Sequence, residues 1–331
     1  MLEKTLYDRH EVIKAVSSML EHYTNGVDPE GTIKAAHLIL GKVSNSKNGI
    51  EMDSKFIEDI LFFENKDKTK SINGNVFNFL RTIKADMKNV SFNNTHITTM
   101  SFCRLKNVEI NIQQIPNYDI SHTYLEGVKV IGSLEGANIE GTNFKDYIGN
   151  LVLDPQKLRN KNLKFTSLWG ITVKGTFNDV YISYMKTAGF KGELVINPQK
   201  VKDKDLNDID FNGVKLIGNE DNDENVYVEP SFDGCKIFGT KFRGCIGKVA
   251  LNLGKLYYTK IVTYDLTGVT INGNIDDYDL HTSYFYNENG EKIYFDEKYK
   301  QKLREQNNIA ETEKTIDKQK SKLLSIFKFQ K

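Results

Sequence analysis

The chain contains an internal repeat whose spacing constrains the fold more than any other feature. Four segments, 112–132, 155–175, 198–218 and 253–273, align without a gap, and their starts lie 43, 43 and 55 residues apart. In each segment apolar residues occupy every fifth position: Ile115, Ile120, Leu125 and Val130; Leu158, Leu163, Leu168 and Val173; Val201, Leu206, Phe211 and Leu216; Leu256, Ile261, Leu266 and Ile271. A period of five fits neither an α-helix of 3.6 residues per turn nor the two-residue alternation of a strand.

A five-residue period predicts a chain that turns a corner at every fifth residue and sends one large side chain inward at each step. Glycine, Asn and Asp between the apolar positions suit tight turns, because they tolerate a positive φ or bond their own backbone. Four steps would close one coil, and stacked coils would hydrogen-bond at about 4.8 Å, as strands do. We therefore predict that residues 76–295 form stacked square coils around a column of Leu, Ile, Val and Phe.

Several five-residue units also carry a resemblance to a known family. The clearest units are Ala137-Asn138-Ile139-Glu140-Gly141, Thr142-Asn143-Phe144-Lys145-Asp146, Cys235-Lys236-Ile237-Phe238-Gly239 and Thr240-Lys241-Phe242-Arg243-Gly244. They resemble the Ala-Asp/Asn-Leu-X-X unit of the pentapeptide-repeat proteins. The resemblance covers roughly 200 of the 331 residues. It implies a mainly β fold, the right-handed quadrilateral β-helix, which is a solenoid.

The first 75 residues show helical spacing instead, and we predict that they form a helical N-terminal domain capping the coils. Asp8, Asp28 and Asp53 each precede a helical pattern and predict three N-caps. Gly26 and Gly41 predict the ends of the first two helices.

The C-terminal part is predicted to differ from the coils as well. Asn289-Gly290 predicts the turn of a hairpin. Residues 296–331 are predicted to form a helical tail with a weak seven-residue spacing, through which the chain could oligomerise. The tail is rich in lysine and ends in Ile326, Phe327 and Phe329, which leaves open a contact with a membrane surface. The alternative is an amphipathic helix packed on the last coil.

Charge and hydropathy exclude several classes of protein. The chain carries 45 basic and 44 acidic residues, and residues 90–290 carry 21 and 24. This balance argues against a dedicated nucleic-acid binder, which usually has a basic excess. No apolar run approaches the roughly 18–20 residues of a transmembrane helix, and no apolar signal-peptide region follows the first residues. The three cysteines form no disulfide or metal pattern, so we expect a cytoplasmic protein.

No motif for catalysis or cofactor binding is found. The sequence lacks a phosphate loop, a dinucleotide fingerprint and a nucleophile elbow. Cys235 occupies a small inward position and is predicted to be buried, and nothing near Cys103 or Cys245 in the sequence marks a lowered pKa. We predict no catalytic residue, no cofactor and no metal site, because the histidines lack ligand spacing: His10, His22, His37, His96, His122 and His281.

The longer third spacing places an insertion between Gly218 and Phe232. Its alternating side-chain oxygens suit calcium, but the turn glycine and the final bidentate Glu of an EF-hand loop are missing. A solvated acidic loop is the alternative. Because insertions in repeat proteins tend to lie on a binding face, we predict a partner-contact loop made of Glu220, Asp221, Asp223, Glu224, Tyr227 and Val228.

These observations predict a protein without enzyme activity that binds an unidentified protein partner with the faces of a rigid β-helix. The alternative is an architectural subunit or cargo of a larger assembly, such as a phage or secretion particle. The family resemblance adds a third function, imitation of DNA to bind a type II topoisomerase. That function needs a long acidic surface, which the balanced charge of the repeat region does not favour.

Overall fold

The computed structural model describes residues 3–23, 28–47, 49–219, 228–252, 255–256, 265–272, 283–286, 290–294, 301 and 305. The chain divides into two compact units. Unit 1 consists of Met1–Ile196 with Lys200–Asp203, and unit 2 consists of Asn197–Gln199 with Lys204–Lys331.

The N-terminal part of unit 1 contains four helices, each preceded by a side chain that caps it. They are α1 (Arg9–Glu21), α2 (Pro29–Ser44), α3 (Ser54–Leu61) and α4 (Gly74–Thr82). The three predicted N-caps are confirmed, since Asp8, Asp28 and Asp53 accept hydrogen bonds from backbone N–H groups of the first turns. Such a cap is worth about 1 kcal/mol, because it satisfies a donor that has no partner within the helix.

Two details of the helices differ from the prediction. Helix α2 continues for three residues beyond Gly41, where an added Cβ atom would meet no neighbouring atom. The conformational freedom of this glycine is therefore not sufficient to end the helix. Helix α4 was not predicted, although Asn73 caps it by accepting from the N–H groups of Asn75 and Val76. Asn73 is buried against α2, where its Oδ1 accepts from the Thr32 hydroxyl at 3.2 Å.

The strands are short throughout the described residues. They are β1 (Thr5–Tyr7), β2 (Ile50–Met52), β3 (Phe62–Glu64), β4 (Lys70–Ile72), β5 (Glu109–Asn111), β6 (Lys129–Ile131), β7 (Val152–Leu153), β8 (Thr172–Val173), β9 (Lys191–Gly192), β10 (Val195–Ile196), β11 (Lys215–Leu216), β12 (Val249–Asn252), β13 (Val269–Asn272), β14 (Tyr284–Tyr286) and β15 (Lys292–Tyr294). In unit 1, β1 pairs antiparallel with β2 across α1 and α2, and β3 and β4 form an antiparallel hairpin, whereas β5–β6 and β7–β8–β9 are parallel. Short 3-10 turns lie at Ile112–Gln114, Pro116–Tyr118, Pro155–Lys157 and Lys202–Lys204.

The five-residue spacing of buried side chains is confirmed at the repeat positions that the structure describes. In unit 1, Leu125 and Leu168 are fully buried, as are their neighbours Ile120 and Leu163. In unit 2, Phe211 is fully buried and Leu266 nearly so. Apolar burial therefore follows the repeat, and each buried residue adds roughly 1.5–3 kcal/mol relative to an exposed one.

The predicted fold class, a right-handed quadrilateral β-helix or solenoid, is wrong. The described strands are two to four residues long and pair in sheets of only two or three strands, so no closed or solenoid sheet forms among them. The physical reason is the corner itself. A residue with positive φ recurs every fifth position, for example at His122, Gly127 and Gly132. Each such residue interrupts the extended backbone and leaves isolated parallel bridges between short turns.

Side chains join these turns where backbone pairing is interrupted. Buried threonine hydroxyls donate to carbonyl oxygens 22 to 27 positions earlier, as Thr142 does to Ile120 at 2.8 Å and Thr166 to Ile139 at 2.9 Å. The Gln156 amide donates to the carbonyls of Thr176 and Asn178 at 3.0 and 2.7 Å.

Unit 2 contains the same kinds of contact. The Thr240 hydroxyl donates to the Leu206 carbonyl at 2.7 Å, and β12 pairs with β13 in parallel. Cys235 is fully buried, as predicted, and its burial raises the thiol pKa to about 12. The predicted hairpin is confirmed, because β14 and β15 pair in an antiparallel register. Apart from residues 301 and 305, the predicted C-terminal helices lie outside the described residues.

Candidate interaction surface

Most of the partner-contact loop that the sequence predicts lies outside the described residues. Only Val228 belongs to the described residues, and its carbonyl accepts from the Gly218 N–H at 2.8 Å. The remaining loop residues lie outside the described part of the chain: Glu220, Asp221, Asp223, Glu224 and Tyr227.

The cavities of the described residues offer no obvious catalytic arrangement. A shallow groove of about 610 Å³ in unit 1 is lined by backbone turns and by Lys129, Ile131 and Ile148. A smaller cavity of about 280 Å³ lies between α1 and α4 and is lined in part by His22 and Arg81. Among the described residues, no group of three or more His, Cys, Asp or Glu side chains could hold a metal ion.

Cys103 has an environment that the sequence did not indicate. Its Sγ lies 3.0 Å from the Ser101 hydroxyl and 3.1 Å from a guanidinium nitrogen of Arg81. The Ser101 hydrogen bond and the nearby Arg81 charge lower the pKa of the thiol. The expectation that nothing marks a lowered pKa here is wrong. The main cause, Ser101, lies only two residues away in sequence, and the fold adds Arg81 from 22 residues away. Burial instead raises the pKa of Cys245.

A ladder of parallel bridges in unit 1 aligns five successive turns, which we call rows. The bridges connect Ser101 to Tyr124, Tyr124 to Asn143, Asn143 to Ser167, and Ser167 to Lys186. Each row is named here by its bridge residue. Adjacent rows are spaced at about 4.8 Å, as paired strands are. Residues at equal distances from the bridge residues therefore lie next to each other in neighbouring rows.

Four large aromatic residues on the outer side of this ladder are exposed, and we call them the aromatic face. Tyr124, Phe165, Trp169 and Tyr184 are 52%, 50%, 41% and 37% exposed. Tyr124 and Tyr184 have buried neighbours on both sides, and Phe165 and Trp169 each have a buried neighbour on one side, so the aromatic side chains are directed outward. Exposed aromatic residues gathered in one area are typical of interaction surfaces.

Two of the aromatic residues occupy strained corners. Phe165 and Tyr184 have φ values of 60° and 62°, in the left-handed region that bulky residues rarely adopt. Both lie two residues before a bridge residue, in adjacent rows, where the rows of Tyr124 and Asn143 have His122 and Gly141. Their rings stack with centroids 4.7 Å apart and an angle of 16° between planes. Strain of this kind is often retained for function.

Trp169 depends on a glycine in the next row. A Cβ atom at Gly189 would lie 2.5 Å from the Trp169 ring, so the indole lies directly over the bare backbone. Gly189 also has a φ of 74°, which an L-residue rarely adopts. The structure thus holds the single tryptophan of the chain in a fixed, part-exposed position.

Two lysines lie close to the ring of Tyr181, which is not one of the four residues of the aromatic face. The Lys164 ammonium lies 4.8 Å from the ring centroid of Tyr181, and the Lys202 ammonium lies 6.0 Å from it. Lys202 also pairs with Asp179 at 3.0 Å, and this contact lowers the pKa of Asp179 and raises that of Lys202.

Sequence reasoning missed the aromatic face because it followed the inward positions. The available signal was the replacement of turn-forming residues by Phe165 and Tyr184 at corners where a small or polar residue is easier to accommodate. A large aromatic residue at such a corner is costlier for the backbone than the glycine of the Asn143 row, and we interpret it as a sign of another role.

Comparisons with known proteins add no identification, because no family model, no curated protein and no solved structure matches the chain. The resemblance to the pentapeptide-repeat family therefore stays a prediction. In the part of the chain that the structure describes, no helix has the length and apolar character needed to cross a membrane.

Proposed function

We propose that this protein binds another protein through the aromatic face of unit 1. The observation that carries the proposal is the exposure of Tyr124, Phe165, Trp169 and Tyr184 on one ladder, where Phe165, Trp169 and Tyr184 lie on two adjacent rows and Tyr124 lies two rows away. Tyr and Trp are the residues most often found to dominate binding energy at protein interfaces. Their rings supply a large contact area, and here they are already held in place before binding.

The strain and packing of these residues support a binding role. Phe165 and Tyr184 adopt a backbone conformation that costs an L-residue about 1–2 kcal/mol, and their rings remain substantially exposed. A role in the core would instead bury the rings. The fixed stacking of the pair reduces the side-chain entropy that a partner would otherwise have to remove.

Imitation of DNA receives less support than protein binding by aromatic contacts. Residues 116–155 carry six acidic and two basic side chains, but residues 156–192 carry one acidic and seven basic. The basic stretch interrupts the long negative surface that mimicry needs. An architectural role in a larger assembly is compatible with the proposal, since it also works by protein contact.

Site-specific photocrosslinking tests the proposal. We suggest placing p-benzoylphenylalanine at position 165 and, as a matched control, at Phe238, which is an exposed phenylalanine of unit 2. In extracts of cells that make the protein, position 165 should give a discrete protein adduct that mass spectrometry identifies. The adduct should be absent at position 238. Equal labelling at the two positions, or no adduct at position 165, would contradict the proposal.

A further inference from the structure

Two arginines line the small cavity between α1 and α4 without an acidic partner. Arg81 lies in the last turn of α4, and Arg104 lies three residues after Ser101. Among the described residues, the wall of this cavity contains no Asp or Glu, and neither arginine forms an ion pair. Glu126 acts on the Cys103 thiol next to Arg81, but it is not paired with either guanidinium in the described part of the chain. Two like charges therefore line one small cavity and repel each other.

The guanidinium of Arg81 is held in place by neutral groups. Its Nε donates to the Cys103 carbonyl at 3.3 Å, and one terminal nitrogen donates to the Cys103 Sγ at 3.1 Å. The other terminal nitrogen donates to the Oδ1 of Asn78 at 3.4 Å. A guanidinium has five N–H donors, so these contacts fix its plane and leave donors for a ligand. The group is thus positioned before any ligand binds.

Arg104 occupies a corner at which other rows have glycine. Its φ is 75°, and three rows have glycines with a φ of 74° at the same distance from their bridge residues: Gly127, Gly170 and Gly189. The fold itself therefore does not need a side chain at this corner. The dipole of α4 favours a cation at the C-terminal end of that helix, which accounts for Arg81 but not for Arg104, because Arg104 lies outside the helix.

His22 and Asn78 add further hydrogen-bonding groups to the wall of the cavity. The His22 Nδ1 lies 2.8 Å from the Ser18 carbonyl and carries the hydrogen of that bond, which leaves Nε2 for a ligand. Because Asn78 accepts from Arg81 through Oδ1, its NH2 group remains a donor. Guanidinium, imidazole and amide groups from two helices and a neighbouring turn thus line one space, which suits an anion with several oxygens.

We infer that this cavity binds a phosphate group, either as the free ion or as part of a small molecule. A phosphate monoester carries a charge of about −1.5 to −2 at pH 7, which balances two guanidinium groups, whereas a carboxylate balances only one. Its oxygens can also accept from donors on different sides of the cavity. The volume of about 280 Å³ lies at the lower end for small-molecule pockets, so the ligand is small. The inference does not depend on the aromatic face.

Isothermal titration calorimetry at constant ionic strength tests the inference, with inorganic phosphate and glycerol 3-phosphate as probes. At least one of them should bind with a dissociation constant of about 1 mM or less. Acetate should bind at least about tenfold more weakly, since it has one charge and two oxygens. Tighter binding of glycerol 3-phosphate identifies an esterified ligand and tighter binding of inorganic phosphate identifies the free ion, and either result supports the inference.

A pair of glycine variants separates the site from general charge effects. Arg104→Gly should weaken binding of the same probe at least about fivefold, and it should fold because glycine already occupies this corner in other rows. Lys68→Gly is the matched control, because Lys68 is an exposed basic residue with a φ of 64° that does not line the cavity. Its effect on binding should stay within about twofold. Unchanged melting temperatures establish that both variants fold.

Alkylation of Cys103 gives a second readout that needs no variant. A phosphate group at Arg81 offsets the positive charge that favours the Cys103 thiolate. A saturating probe should therefore slow modification of Cys103 by iodoacetamide at least about twofold and leave the rate at Cys245, in unit 2, unchanged.

Four results would overturn the inference. They are no binding of either phosphate probe at about 20 mM, binding of acetate as tight as that of phosphate, a loss of less than about fivefold in folded Arg104→Gly, and an unchanged rate at Cys103 with the probe bound.

Discussion

Replacing Phe165 by glycine should remove binding at the aromatic face and leave the stability of the fold nearly unchanged. The residue is half exposed, has a φ of 60° and stacks on Tyr184. The equivalent corner of the Asn143 row holds a glycine, Gly141, so the fold itself does not need a ring at this corner. Phe165→Gly therefore separates a role in binding from a role in stability.

The expected free-energy change is the sum of three opposing effects. Glycine relieves the strain of the left-handed conformation, which stabilises the fold by about 1–2 kcal/mol. Loss of the stacked ring pair costs about 0.5–1.5 kcal/mol. The greater freedom of glycine in the unfolded chain costs a further ~0.4–1 kcal/mol. The net change in the free energy of unfolding should therefore lie between about 1 kcal/mol of stabilisation and about 1.5 kcal/mol of destabilisation.

Thermal unfolding followed by circular dichroism measures this change, and Phe144→Ala provides the contrast. Phe144 is fully buried in the Asn143 row, so its truncation should cost about 3–5 kcal/mol. That cost corresponds to a melting temperature lower by about 6–20 °C, whereas Phe165→Gly should lower it by no more than about half as much. If Phe165→Gly destabilises the chain as much as Phe144→Ala does, Phe165 is a structural residue and the reasoning fails.

Three further changes test the description of the structure. Because the pKa of Cys103 is lowered and that of Cys235 is raised to about 12, iodoacetamide at neutral pH should modify Cys103 well before Cys235. Arg81→Ala should slow the modification of Cys103, and peptide mass spectrometry measures both rates. Gln156→Ala removes two hydrogen bonds to backbone carbonyls and should lower the free energy of unfolding by about 1–2 kcal/mol in urea denaturation, whereas an unchanged denaturation midpoint would show that the bonds are dispensable. Leu168→Ala creates a cavity at a fully buried repeat position and should cost about 2–5 kcal/mol by the same assay, and a cost below about 1 kcal/mol would contradict its place in the core.

The inward half of the repeat could be predicted from the sequence because burial selects residue type directly. Leu125 and Leu168 are buried as their five-residue spacing predicts, since only apolar side chains can occupy a dry interior without partners. The N-caps of three helices were also predictable, because a short polar side chain before a helical pattern has a local and specific role.

The continuity of the strands could not be predicted from that spacing. A corner at every fifth residue is compatible with long ladders or with isolated bridges, and the backbone φ values decide between them. Positive φ at residues such as Asp146 and Lys161, which are neither glycine nor asparagine, is not evident from residue type. The strands consequently end after two to four residues, and the predicted β-helix does not form.

The candidate surface was missed for a different reason. Exposed side chains have no periodic requirement, so Trp169 and Tyr184 carried no pattern that a search for repeats could detect. Their proximity depends on the pairing of rows about 20 residues apart, which the bridge from Ser167 to Lys186 establishes. The contact between Arg81 and Cys103 likewise joins residues distant in sequence.

The central claim is that the aromatic face binds protein, and calorimetry with the partner recovered at position 165 tests it most directly. The partner should be titrated into the original chain, into a triple variant Phe165→Ala, Trp169→Ala and Tyr184→Ala, and into Phe238→Ala. The account predicts that the triple variant binds at least about 100-fold more weakly, or about 2.7 kcal/mol, while Phe238→Ala stays within about twofold. Equal affinity of the triple variant and the original chain, with both folded, would contradict it.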